Sequence, residues 1–106
     1  MAGINPWYQG QTAPAWQPPL YDDAGNTINL TNATSFALVI RNRQTGVERA
    51  GTGTWVFLHD ATGTAAYSWS AADVATIGEY ELLVTVTFND NTELKFNPVV
   101  WEVLPY

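Results

Sequence analysis

Between Glu79 and Phe88 apolar and polar residues alternate almost without a break. Tyr80, Leu82, Val84, Val86 and Phe88 stand at even positions, against Glu79, Glu81, Leu83, Thr85 and Thr87 at odd ones. Successive side chains of a strand point to opposite faces, so the run predicts a half-buried strand. The cluster Asn89-Asp90-Asn91-Thr92 is a turn, and Leu94 and Phe96 resume the alternation after it, which predicts a hairpin. Pro98 removes a ladder donor, and the apolar phase moves to Val99, Trp101 and Val103. A bulge or bend at Asn97-Pro98 accounts for both.

Upstream, Phe36, Leu38 and Ile40 alternate with Ala37, Val39 and Arg41, and a turn at Gln44 to Gly46 leads into Val47 to Ala50. Trp55 and Phe57 share one face of the next strand while Val56 and Leu58 share the other. Such a strand is buried on both sides or offers its outer face to a partner. Ala61 to Gly63 turns the chain into a strand around Tyr67. Asp22 to Asn26 forms a tight turn, and the prolines of Pro14 to Pro19 confine the first strand to an edge. No long stretch has helical periodicity. About seven to nine short strands with turns between them predict an all-β sandwich.

The exception is a corner from Ser70 to Tyr80. Ser70-Ala71-Ala72-Asp73 has the Ser-x-x-acid spacing of a helix start, with Ser70 as cap and Asp73 in the first turn. Gly78 ends it, where a left-handed residue costs little. A short helical turn over Ala71 to Ile77 is therefore expected. Tyr80 then opens the long strand. Asp, Gly and x-Tyr in this order is the layout of a tyrosine corner, in which the phenol bonds backbone crossing between sheets. Ser70, Asp73, Gly78 and Tyr80 are the expected structural site.

These residues resemble a known group. The string "GTWVFLHDATGTAAYSWSAADVATIGEYELLVTVTFND", Gly53 to Asp90, is similar to small phage immunoglobulin-like domains of the kind found at the N-terminus of the baseplate upper protein. Their pattern is Asp, Gly, a Tyr-x-Trp strand, a Ser/Thr-x-x-Asp turn, a Gly-x-Tyr strand and a Thr-Phe-Asx hairpin. The opening "YQGQTAP" and "LYDDAGNTINLTNA" also resembles theirs, so the likeness runs from about Tyr8 to Val103. Gln11 stands where an acid is usual and Asn32 where glycine is usual; neither disturbs the core pattern. The resemblance implies an immunoglobulin-like antiparallel β-sandwich and a structural component of a tailed-phage virion, assembled in the host cytoplasm. It carries no catalytic residue.

Composition narrows the alternatives. The 106 residues suit one domain, and 13% of them are aromatic, enough to hold a small core. There is no cysteine, which rules out disulfides and thiolate metal sites. Four basic residues against ten acidic ones give a net charge of -6, unsuited to nucleic acid or an anionic membrane. The first residues lack a basic, then apolar, secretory pattern. The triplets Asn29-Leu30-Thr31 and Asn32-Ala33-Thr34 are expected as turn residues. His59 and Asp60 are neighbours on a strand and point apart, so they do not pair as an acid-base couple. Asp22, Asp23 and Asn26 suit a local turn better than a calcium site. Glu79 and Glu81 lie roughly 7 Å apart on a wet face, and a glycosidase needs a cleft as well as a distance. No cofactor, metal or catalytic group is expected.

Three segments follow: an N-terminal arm over 1–10, the sandwich over 11–103 and a tail over 104–106. Both ends carry apolar groups that are costly to leave in water. Ile4, Trp7, Tyr8, Leu104 and Tyr106 are therefore expected to dock on partners, namely other virion structural proteins or further copies in a symmetric oligomer or ring. The alternative is a carbohydrate-binding or host-adhesion module that stacks sugars on exposed Trp7, Tyr8 and Trp16, although Trp7 and Trp16 are first expected to cover the open end of the core.

Overall fold

The computed structural model describes residues 6–18, 20–22 and 24–106. Eight strands follow in chain order: β1 (Trp7–Tyr8), β2 (Ala33–Asn42), β3 (Glu48–Ala50), β4 (Thr54–Phe57), β5 (Ala65–Ser68), β6 (Gly78–Phe88), β7 (Glu93–Lys95) and β8 (Val99–Leu104). No helix occurs among the described residues. One sheet has the order β1-β8-β6-β2-β3, with β7 also on β6; the other is the pair β4-β5. The fold is all-β and built as a two-layer sandwich.

β6 is the spine. Its even residues Tyr80, Leu82, Val84 and Val86 are buried, as the alternation demands. β2 pairs antiparallel along one side, Leu38 opposite Val84 and Ile40 opposite Leu82. On the other side β7 and β8 share the edge. Thr85 pairs with Lys95 but Leu82 with Val99. Three steps along β6 therefore match four along its partner, and the surplus residue is a bulge at Phe96 to Pro98. It turns Val99, Trp101 and Val103 inward, all buried.

Trp69, just after β5, lies between the sheets. Its ring stacks on Trp101 with centroids 4.5 Å apart, and Trp7, Trp16 and Tyr67 surround it at 5.6, 6.1 and 5.1 Å. Such contacts add to the large area each ring buries. A second cluster of Leu20, Leu30, Ala33, Ala65 and Val86 fills the far end.

Three expectations are corrected. The sandwich is mixed rather than purely antiparallel, because β1 runs parallel to β8, Trp7 beside Val103 and Tyr8 beside Leu104. Residues 7 and 8 are thus a strand and not part of a free arm, and Leu104 completes β8 instead of starting a tail. Trp7, expected on a partner, is a core residue at 8% exposure, beside Trp16 at 6%, which covers the core as expected. The physical reason is common to all three: the small second sheet leaves large apolar area on the first, and the N-terminal aromatics are near enough to cover it. Ile4 lies outside the described residues.

Candidate functional site

The corner from Ser70 to Tyr80 closes one end of the sandwich. Ala71 to Val74 form a hydrogen-bonded turn in which the Asp73 N–H donates to the Ser70 carbonyl at 3.2 Å. Cap and acid bond reciprocally: the Asp73 N–H reaches Ser70 Oγ at 3.3 Å, and the Ser70 N–H reaches Asp73 Oδ2 at 3.0 Å. The reciprocal bonds are those of a capping box, but the short helical turn expected over Ala71 to Ile77 is not formed: Ala71 to Val74 make a turn only, and no helix follows. Tyr80 is buried, and its hydroxyl donates to the Thr76 carbonyl at 3.0 Å, within the same loop. Gly78 has φ +152°, and a Cβ there would lie 3.3 Å from the Tyr80 hydroxyl.

Asp73 is the centre of the corner and is fully buried. A buried carboxylate is tolerated only when its oxygens are satisfied. Here Oδ2 accepts from the Tyr67 hydroxyl at 2.5 Å, and Oδ1 accepts from the Thr52 N–H at 3.0 Å. Arg49 Nη1 stands 3.8 Å from Oδ1, while Nη2 donates to the Asp73 carbonyl at 2.7 Å. Burial works against ionisation, yet the hydrogen bonds from Tyr67, Thr52 and Ser70 outweigh it and hold the carboxyl below its ordinary range. Burial, reinforced by the Asp73 partner, pushes the Tyr67 phenol upward, so it remains a neutral donor. The Gly53 N–H completes the phenol at 2.7 Å. The network joins β5, the β3–β4 connection and the corner, with no room at the carboxylate for a substrate.

Sequence reasoning named Asp73 but missed Tyr67, Thr52, Gly53 and Arg49, its actual partners. Tyr67 carried a visible signal, an inward phase with Trp69 just before the corner. Thr52 and Gly53 carried none, because their approach depends on the chain crossing between sheets.

The other candidates are separate. His59 packs on Phe57 with ring centroids 4.7 Å apart. Asp60 instead accepts from the Thr62 N–H at 2.9 Å and from Thr62 Oγ1 at 2.5 Å, which lowers its pKa. Asn29 and Asp90 make the same turn with Thr31 and Thr92. Asp22 Oδ1 accepts from the Ala24 and Asn26 N–H groups at 3.0 and 2.9 Å, a local turn as expected. Glu79 and Glu81 face Arg43 and Arg41 at 3.9 and 3.6 Å. No group of three metal-ligating side chains occurs among the described residues.

Of the expected docking residues, Tyr8 and Tyr106 are exposed, at 48% and 98%, and their rings meet edge to face with centroids 6.1 Å apart. Trp7 is sequestered, its indole N–H bonded to the Gln11 carbonyl. Leu104 is half-buried in β8. An aromatic platform of Trp7, Trp16 and Tyr8 is therefore not formed; among the described residues the exposed tyrosines are Tyr8, Tyr21 and Tyr106. Among the described residues Tyr21, Val47, Val56, Leu58 and Ile77 are the remaining large apolar groups on the surface. No family model matches the chain, and a search of curated proteins finds no match.

Proposed function

We propose that the chain is a non-enzymatic, immunoglobulin-like structural component of a tailed-phage virion, in the tail, baseplate, neck or capsid surface. It acts through assembly contacts with other virion proteins, as one of several symmetric or ring copies. One observation carries the reading. The buried polar group, Asp73, is enclosed and saturated, whereas large apolar groups are displayed outside. Reactive sites need the reverse, an accessible polar group in a cleft. Exposed apolar groups are what association uses. The Tyr80 bond to its own loop and the resemblance from Tyr8 to Val103 support the immunoglobulin-like assignment.

The test is quantitative mass spectrometry of gradient-purified particles of the phage that encodes the chain. The reading expects the chain at a fixed copy number, commensurate with a known symmetric component. Particles that form, infect and contain none of it would refute the reading.

A further inference from the structure

Two adjoining clefts, of about 310 and 390 Å³, open beside the hairpin of residues 20–28 and share Pro18, Leu20 and Tyr21 as a common wall. Tyr21 is 56% exposed, yet its backbone is fixed. It bridges Thr27 across the hairpin, between an Ile28 N–H to Leu20 carbonyl bond at 3.1 Å and an Asp22 N–H to Asn26 carbonyl bond at 2.9 Å. The turn from Thr62 to Thr64 lies close against this hairpin. Gly63 there has φ +66°, and a Cβ would stand 3.1 Å from the Leu20 carbonyl oxygen. Openings of this size suit a ring-sized ligand. An aromatic already held in place loses little freedom when a ligand settles on it.

The first cleft is polar without being charged. Gln17, Thr27, Thr62 and Thr64 line it together with Tyr21, and among the described residues no charged side chain does so. Leu20 and Ala65, both buried, supply its apolar part. The threonine hydroxyls are acceptors. Thr27 Oγ1 donates to the Ala61 carbonyl at 2.8 Å, and Thr62 Oγ1 donates to Asp60 Oδ1 at 2.5 Å. The 2.9 Å bond between Thr62 Oγ1 and Thr64 Oγ1 is then donated by Thr64. A hydroxyl has one hydrogen and two lone pairs. All three hydrogens are therefore engaged inside the protein, while lone pairs remain for a ligand.

That inventory selects the ligand. An anion meets lone pairs and no cation. A cation meets no countercharge in the first cleft. A wholly apolar ligand would cover the oxygens without giving them partners. A pyranose ring meets every requirement: its hydroxyls donate to the threonines, the Gln17 amide can donate to it and accept from it, and its C–H face packs on the Tyr21 ring. We infer that the cleft between Gln17, Tyr21 and Thr64 is a binding site for a neutral saccharide. The second cleft, beyond Tyr21, adds Phe96, Pro98 and the polar groups of Asp22 and Asn97, so a further sugar unit can follow the first. The first cleft has no carboxylate, amine or imidazole among the described residues, so the saccharide is held there and not cleaved. Such a cleft can serve a virion component or any other protein, and the virion reading is not needed for it.

The test is a titration of the isotope-labelled full chain with glucose, galactose, mannose and N-acetylglucosamine, and with their linear trisaccharides, followed by backbone amide shifts in NMR. At least one sugar should move the amides of Gln17, Tyr21, Thr27 and Thr64 selectively and saturably, with a dissociation constant of about 1 mM or weaker, and its trisaccharide should bind about tenfold tighter. Tyr21→Ala should weaken binding about tenfold and Thr64→Val about threefold with the melting curve unmoved, while Tyr21→Phe, which keeps the ring, should bind as the unmodified chain does. Inorganic phosphate and spermidine should leave these amides in place. Absence of any saccharide shift up to about 50 mM would overturn the inference. So would saturable shifts confined to the Tyr8–Tyr106 pair, phosphate or spermidine binding in the cleft, or saccharide binding indifferent to Thr64→Val. Should Tyr21→Ala fail to fold, Thr64→Val and Tyr21→Phe decide the question.

Discussion

Replacing Tyr67 with phenylalanine removes one oxygen and leaves two groups short of a partner. The phenol donates to Asp73 Oδ2 at 2.5 Å and accepts from the Gly53 N–H at 2.7 Å. A hydrogen bond to a charged group contributes about 1.5–3 kcal/mol, and an unpaired buried donor costs about 1–3 kcal/mol. Both losses fall on one connected network, so the lower parts of the two ranges apply, and Tyr67→Phe should cost about 3 kcal/mol. The ring remains and packs as before against Trp69 and Trp55, so no cavity contributes. For a domain of this size each kcal/mol moves the midpoint by about 4–8 °C, which gives a fall of roughly 12–24 °C. Thermal melts by circular dichroism, with urea titrations to confirm an unchanged m-value, measure it. A loss under about 1 kcal/mol, the net worth of one ordinary bond, would show that Asp73 is not the anchor of the corner.

Tyr80→Phe removes a single neutral bond to the Thr76 carbonyl and should cost about 1 kcal/mol in the same assay. Trp7→Ala should cost about 3–5 kcal/mol because the ring is buried against Trp69, whereas deleting the 98%-exposed Tyr106 should change stability by less than about 0.5 kcal/mol. Acid should weaken the fold with a definite sign. The Asp73 carboxyl is held below its ordinary value, so its contribution is complete above about pH 4 and is lost as pH falls through the lower folded value. Urea midpoints should therefore be flat above about pH 5 and drop below about pH 4, with a shallower drop in Asp73→Asn; Asp60 and Asp90, held low by Thr62 and Thr92, add to the same slope.

Much of the fold was legible in the chain because strand periodicity is a local signal. The even phase of β6, the inward Leu38 and Ile40 of β2, and the phase change at Pro98 all reappear as burial and register. The Ser70–Asp73 cap was legible because three-residue spacing fixes it. Two kinds of feature were not. The parallel pairing of Trp7 with Val103 joins residues from opposite ends of the chain, and only the finished sheet makes that edge available. The partners of Asp73, above all Thr52 and Gly53, approach it through the β3–β4 crossing, which no periodicity encodes. The two-sided apolar pattern of Trp55 to Leu58 left burial and display as equal options. The structure displays Val56 and Leu58, since among the described residues no further layer lies beyond β4 and β5.

The claim that the chain serves assembly is tested most directly by electron cryo-microscopy of the intact particle, at a resolution that traces strands. The account predicts two-sheet density matching this fold, repeated under the symmetry of a tail, neck, baseplate or capsid component, with exposed apolar residues such as Val56, Leu58 or Tyr106 at contacts with neighbouring chains. A complete map in which every density is assigned and this fold occurs nowhere would contradict it.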